Sequence, residues 1–300
     1  MKENKGLHIY YLATISAILL WSASFIATKL AYETFAPIQL GAVRTFLAVI
    51  IFGITRLLTG EKEKINKEDR IQVAFSGFLG LTLYFTIENL GVSMTTASNA
   101  ALLVASFPAV TILFEFFLYH SKPTIKKVSG IIMALIGVGI LTQITVEGSY
   151  TSFLGNVILL SAGIVWAFYN FTTRRLSGKY KAMTLTYYQM LAGTILFTPF
   201  VFVEGGEWKL PSFTSLGSLV YLSVGCSVMA FLLYNLGLRK LSASASVSLM
   251  NLVPIFGLVF SITILGEEVS AIQIFGGVIV IVGVALSSIE KRELDGKVLL

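Results

Sequence analysis

The sequence predicts an all-α polytopic membrane protein with ten transmembrane helices, arranged as two inverted five-helix repeats with both termini cytoplasmic. Three observations predict it: an extreme apolar composition, a long internal repeat, and the placement of the basic residues. Of 300 residues, 55% are hydrophobic and 13% charged, with a mean hydropathy of +0.82. That is far more apolar than an ordinary soluble domain. Residues 89–142 recur without a gap at 235–288. Asn89-Leu90-Gly91 returns as Asn235-Leu236-Gly237, Ala97-Ser98 as Ala243-Ser244, Pro108 as Pro254, Gly130 as Gly276, and Gly137-Val138 as Gly283-Val284. Ser16-Ala17 with Trp21, and Ser161-Ala162 with Trp166, carry the duplication across most of the chain. A repeat of this length decides the architecture before any single element does, and in membranes it points to transport.

A hydrocarbon core of roughly 30 Å needs about 20 apolar residues per helix. The first such span, 9–31, follows Lys2 and Lys5 and contains Ser22-Ala23-Ser24, which has the look of a cleavage site. Apolar residues continue past that point and Trp21 has an internal copy, so the segment is read as a retained helix. The second span, 37–58, carries Arg44. The third, 71–90, follows the only sizeable polar connection, Gly60 to Arg70, and carries Tyr84 and Glu88. The fourth, 96–119, contains Pro108, and the fifth, 127–145, contains Gly130, Gly137 and Gly139. The second repeat supplies 152–173 with Trp166, 183–203, 215–237 with Cys226, 243–265 with Pro254, and 270–289 with Gly276, Gly277 and Gly283. The organisation is therefore 9–145, 152–289 and a cytoplasmic tail, 290–300.

With the N-terminus inside, nineteen of the 22 Lys and Arg residues fall on the cytoplasmic side, among them Arg56, Lys62, Lys64, Lys67, Arg70, Lys179 and Lys181. The outer connections hold Lys209 together with Glu33, Glu147, Glu204, Glu207, Glu267 and Glu268. This is the positive-inside pattern, and a missed or extra helix would scramble it. Five spans per repeat is an odd number, so the halves take opposite orientations. The net charge of +6 is then inner-leaflet topology facing anionic lipid, and no nucleic-acid reading is needed. A single cysteine, Cys226, rules out an intrachain disulfide or a cysteine metal cluster.

Pro254, Gly266-Glu267, Gln273, Gly276 and Gly283-Val284 together resemble the EamA-type branch of the drug/metabolite transporter superfamily, over approximately residues 10–289. The first half keeps Pro108, Gly130 and Gly137 but has His120-Ser121-Lys122-Pro123 where the Gly-Glu pair would align. The resemblance implies a ten-helix secondary carrier with a cavity between the repeats, typically exporting amino acids, other metabolites or toxic compounds.

Arg44 is expected roughly 10 Å below the outer surface, where a lipid-facing charge costs several kcal/mol, so it should face the bundle interior. It reads either as a substrate-anion contact or as a structural ion pair. Glu88, with Tyr84 one turn earlier on the same face, reads as a proton carrier, an ammonium contact or a partner for Arg44. If both face one cavity, a zwitterion is the fitting ligand. Trp21 and Phe25 on the first helix and Trp166, Tyr169 and Asn170 on the sixth read as paired cavity walls or as ordinary packing. Asn99, Asn251 and Tyr188 complete the candidate substrate-binding set, the asparagines serving equally as interhelical bonds. Pro108 and Pro254 are hinge candidates or static kinks. Lys29 and Glu115 are read as electrostatic anchors.

Neither a catalytic site nor a cofactor or metal site is expected. There is no phosphate-binding Gly-x4-Gly-Lys-Ser/Thr loop, so energy would come from a gradient, with proton coupling through Glu88 and facilitated diffusion both compatible. The leading reading is a plasma-membrane transporter of a small-molecule substrate, most simply an exporter working by alternating access. An intramembrane enzyme lacks any recognisable catalytic motif, and a channel or sensor lacks rings of like charge. The glycine faces serve a monomer or a homodimer equally well.

Overall fold

The computed structural model describes residues 7–119, 124–144, 150–205 and 207–288. The tail 290–300, the segment His120 to Pro123, Lys2, Lys5 and Glu147 lie outside these residues, as does the side chain of Glu115. Among the described residues the chain is helical and contains no strand. Helices occupy each predicted segment: α1 (Leu7–Ala31), α2 (Pro37–Leu58), α3 (Lys67–Met94), α4 (Ala97–Phe114, helical on to Tyr119), α5 (Ile125–Ile144), α6 (Tyr150–Ser177), α7 (Ala182–Glu204), α8 (Phe213–Leu238), α9 (Ala243–Leu265) and α10 (Ala271–Ser288). Eight of them are long and apolar enough to cross a membrane. The apolar parts of α5 and α10 are shorter, Val128–Ile140 and Ala271–Leu286.

Polarity is distributed as a bilayer requires. Leu57, Leu58, Ile71 and Phe202 are each more than 80% exposed, while Arg44, Gln189, Asn170 and Asn235 are buried. Exposed apolar surface on this scale has no counterpart in a soluble monomer. In hydrocarbon it carries no penalty, whereas every polar group has to be satisfied within the bundle. The chain is a multi-pass membrane protein.

The repeat is visible in the packing. A side-chain carbon at Gly137 would lie 2.8 Å from the Gly276 carbonyl oxygen, and one at Gly283 would lie 2.7 Å from that of Gly130. Residues 130 and 276, and 137 and 283, are repeat equivalents, so α5 and α10 make one contact twice. No residue with a Cβ fits without the backbones moving apart. In α3 and α8 the equivalent stretches Phe78–Leu83 and Tyr221–Ala230 widen to i→i+5 bonding. Helices α4 and α9 are each interrupted at equivalent places. The first breaks between Val104 and Phe107, and the second runs through a tight turn at Leu249–Asn251. Each break directly precedes a proline, Pro108 or Pro254, which lacks the N–H that would carry the helix through.

Helices α7 and α9 end in glycines of positive φ, and both ends deliver a glutamate to a neighbouring helix. Gly205 (φ 65°) follows Glu204, and Gly266 (φ 66°) precedes Glu267. The Glu204 carboxylate accepts from the backbone N–H groups of Ile38 and Gln39, both at 2.9 Å, at the start of α2. Glu267 does the same for Ala97 and Ser98, both at 2.9 Å, at the start of α4. A helix start offers unbonded donors and a positive dipole end, and a carboxylate satisfies both.

Candidate functional site

The polar and aromatic side chains of the two repeats converge on one small chamber. Trp21 and Phe25 come from α1, Arg44 from α2, Tyr84, Phe85 and Glu88 from α3, Trp166 from α6 and Phe231 from α8. Met250 and Val253 at the break in α9, and Val104 at the break in α4, close it. The remaining space is about 20 Å³, room for roughly one water.

The walls are aromatic. The rings of Trp21 and Trp166 meet edge to face with centroids 5.5 Å apart, Trp21 and Phe231 at 5.2 Å, and Tyr84 and Trp166 at 4.9 Å. These are favoured geometries for aromatic pairs. The α1 helix reaches this point through a local break after Ser22, where Ser24 Oγ donates back to the Trp21 carbonyl at 2.7 Å. Trp21 Nε1 donates to the Cys226 carbonyl at 3.1 Å, while the equivalent donor of buried Trp166 has no partner among the described residues.

Two opposite charges enter the chamber. The Arg44 side chain is fully buried, its Nε donates to Ser227 Oγ at 3.0 Å, and its guanidinium lies 4.2 Å from the Phe85 ring centroid. Tyr84 Oη donates to Glu88 Oε1 at 2.7 Å, the i, i+4 relation expected from the helix. Among the described residues the ion pairs are Lys179–Asp69, Lys181–Glu61 and Lys209–Glu207, so Arg44 and Glu88 are not paired with each other.

On one side of the chamber a buried amide mesh closes the bundle. Tyr169 Oη donates to Asn235 Oδ1 at 2.8 Å, and Asn235 Nδ2 donates to Thr186 Oγ1 and to Gln189 Oε1, both at 2.9 Å. Gln189 Nε2 goes on to Ser76 at 2.9 Å and Thr173 at 3.0 Å. Each amide valence is used, so the mesh is stable in a low-dielectric interior. The opposite side is held by Glu204 and Glu267 and by Gln273 Nε2, which donates to Asn99 Oδ1 at 2.6 Å.

Of the residues expected at a binding site, the structure brings together Trp21, Phe25, Arg44, Tyr84, Glu88 and Trp166. It does not bring the other five to the chamber wall. Tyr169 stands behind Trp166, with ring centroids 4.9 Å apart, and its hydroxyl is committed to Asn235. Asn170 accepts from Tyr234 Oη at 2.7 Å and donates to the Trp166 carbonyl at 2.7 Å, bracing the wall from outside. Asn99 is tied to Gln273, and Tyr188 faces a separate groove near Arg70. Asn251 lies in the α9 break with its Oδ1 buried and unpartnered. A helical period fixes which residues share a face but not which neighbour that face meets, so it does not by itself bring these five to the chamber. Phe85 and Phe231 were overlooked, although the repeat carries the signal. They are equivalent positions 146 residues apart, and their rings meet at 5.9 Å.

A multi-pass helical bundle closed around an aromatic chamber with two unpaired opposite charges is the architecture of a membrane carrier. The EamA-like transporter family model matches residues 8–143 and again residues 153–289, and the chain belongs to this family, the one its motifs resemble. An uncharacterized transporter of Archaeoglobus fulgidus is 26% identical over 97% of this chain and 100% of its own. A probable terminal-alkyne amino-acid exporter of Streptantibioticus cattleyicolor is 25% identical over 94% of this chain and 93% of its own. An uncharacterized transporter of Haemophilus influenzae is 36% identical over 46% of this chain and 84% of its own. A crystal structure 18% identical in sequence shares the fold, with a TM-score of 0.70 over 95% of this chain and 99% of the other.

Proposed function

We propose that this transporter is a plasma-membrane secondary carrier that exports amino acids or related amphipathic zwitterions by alternating access. Ten spans in two inverted repeats with both termini cytoplasmic form its frame. The charge alternation along the sequence and the doubled contact of α5 with α10 support that frame. The observation that carries the substrate class is the presence of Arg44 and Glu88 in one nearly dry chamber without a bond between them. Each is costly to bury alone. A ligand bearing a carboxylate and an ammonium offsets both costs at once, and the tryptophan faces suit the cation and the apolar side chain. The named amino-acid exporter among the relatives supports the same class and direction.

A chamber of about 20 Å³ is too small for any metabolite, so the walls have to separate during each cycle. The prolines at the breaks of α4 and α9 are the natural hinges. Glu88 is the group that would carry a coupled proton.

Counterflow in proteoliposomes loaded with zwitterionic amino acids tests the reading. The parent should exchange label saturably. Arg44→Ala and Glu88→Gln should each lower exchange at least about thirtyfold, the effect of leaving one charge of a desolvated pair without its partner. If both variants move every substrate as the parent does, the charged-site reading is wrong. A steady current without counterflow would overturn the carrier itself.

A further inference from the structure

Helices α3 and α7 are clamped together near mid-length. The Gln189 backbone lies directly against Gly77, and Thr82 Oγ1 donates to the Gly193 carbonyl at 2.8 Å. Alongside this clamp the flanks of the two helices leave a groove of about 240 Å³. Val73, Ala74, Leu191 and Ala192 form its walls, and Ile195 continues it onto the exposed apolar surface that includes Ile71 and Phe75. Lys64 and Arg70 stand at its polar end.

No acidic side chain lines this groove. Of the acids nearby in sequence, Glu61, Glu63 and Asp69 are committed elsewhere, and the exposed Glu68 is in no ion pair with Lys64 or Arg70 among the described residues. Glu61 accepts from Lys181 Nζ at 2.7 Å, and Glu63 accepts from the Lys181 backbone at 3.0 Å. Asp69 accepts from Lys179 Nζ at 2.8 Å and from Tyr180 Oη at 2.6 Å. The hydrogen bond from Lys181 holds the Glu61 carboxyl below the usual carboxylate range, so it stays ionised and occupied. Among the described residues Lys64 and Arg70 are in no ion pair. A third cation stands behind the wall, since the Arg56 guanidinium lies 5.5 Å from the ring centroid of groove-lining Tyr188.

We propose that the groove between α3 and α7 binds one anionic phospholipid, its phosphate at Lys64 and Arg70 and an acyl chain along Ala74, Leu191, Ala192 and Ile195. A free anion would use the basic end and leave the apolar slot empty. A zwitterionic lipid brings its own cation to a site that already carries uncompensated positive charge. On the orientation proposed above the lipid belongs to the inner leaflet, where anionic headgroups attract basic side chains. The site rests on membrane residence alone and is independent of what the carrier transports.

Native mass spectrometry of the full chain with phosphatidylglycerol, phosphatidylcholine or inorganic phosphate tests it. The parent should retain phosphatidylglycerol in preference to phosphatidylcholine. Lys64→Gln with Arg70→Gln should weaken that retention about thirtyfold, at about 1 kcal/mol for each basic side chain near a headgroup. Ala192→Phe should fill the slot and remove the lipid with both charges intact, which keeps the test decisive if the double variant fails to fold. Equal retention of the two lipids overturns the proposal, as does unchanged binding in Ala192→Phe. Displacement of the lipid by inorganic phosphate would make the basic end a free-anion site and overturn it too. Loss of counterflow has no bearing on these outcomes, so the two readings fail separately.

Discussion

Glu267 reaches from the end of α9 to the first N–H groups of α4, 170 residues away in sequence, and holds two of them at 2.9 Å. A glutamine there keeps one good acceptor and loses the charge that complements the helix dipole. Glu267→Gln should therefore lower unfolding stability by about 1 kcal/mol, within the range of helix-cap losses. Its exposed neighbour supplies the control: Glu268→Gln should leave the thermal transition in detergent unchanged, and equal shifts in the two variants would refute the cap. The sequence marks Glu267 as part of a family motif but does not reveal this bond. Backbone donors carry no sequence signature, and the partner is set by how α4 and α9 come together. Arg44 was legible for the opposite reason. A charge deep in an apolar segment has to point inward whatever its neighbours are, and the structure finds its side chain buried against Phe85 and Ser227.

At the scale of elements, the breaks in α4 and α9 and the close-approach faces of α5 and α10 were readable, though not that those two faces meet each other, because each is the work of residues with one structural use. Proline removes a donor, and paired glycines admit a backbone. Gly137→Ala and Gly283→Ala should each cost about 1–3 kcal/mol, since the added carbon meets atoms of the opposing helix that have no room to give. Gly53→Ala in α2, where an added carbon meets nothing within 4 Å among the described residues, should be neutral or should stabilise by roughly 0.5 kcal/mol through helix propensity. Thermal unfolding of the three variants in one detergent checks both halves, and similar losses at all three positions would remove the packing account. What the period could not supply was azimuth. Asn99 and Tyr188 sit on helices with the expected ends, yet one bonds to Gln273 near the Glu267 cap and the other lines the groove beside Arg70.

For the molecule as a whole, the sole cysteine is buried, so a Cys226→Ala background makes surface thiols informative. Lys62→Cys and Lys209→Cys lie in connections separated by five helices, and on the proposed ten-span frame that odd number of crossings would put them on opposite sides. A membrane-impermeant maleimide should label Lys209→Cys on intact cells and Lys62→Cys only after permeabilisation. The reverse pattern would turn the molecule over in the membrane. Labelling of both from one side would break the count of spans and with it the inverted repeat.

The two ends of the chamber are closed by different chemistry. At one end, neutral amides and hydroxyls of Tyr169, Asn235 and Gln189 bind one another deep in the bundle. At the other, ionised side chains of Glu204 and Glu267 rest on helix starts beside the solvent-facing connections. Salt weakens charge–dipole contacts near water and leaves a buried neutral mesh almost untouched. Ionic strength therefore acts on one end of the chamber: added salt loosens the end held by Glu204 and Glu267 and leaves the end held by Tyr169, Asn235 and Gln189 as it is.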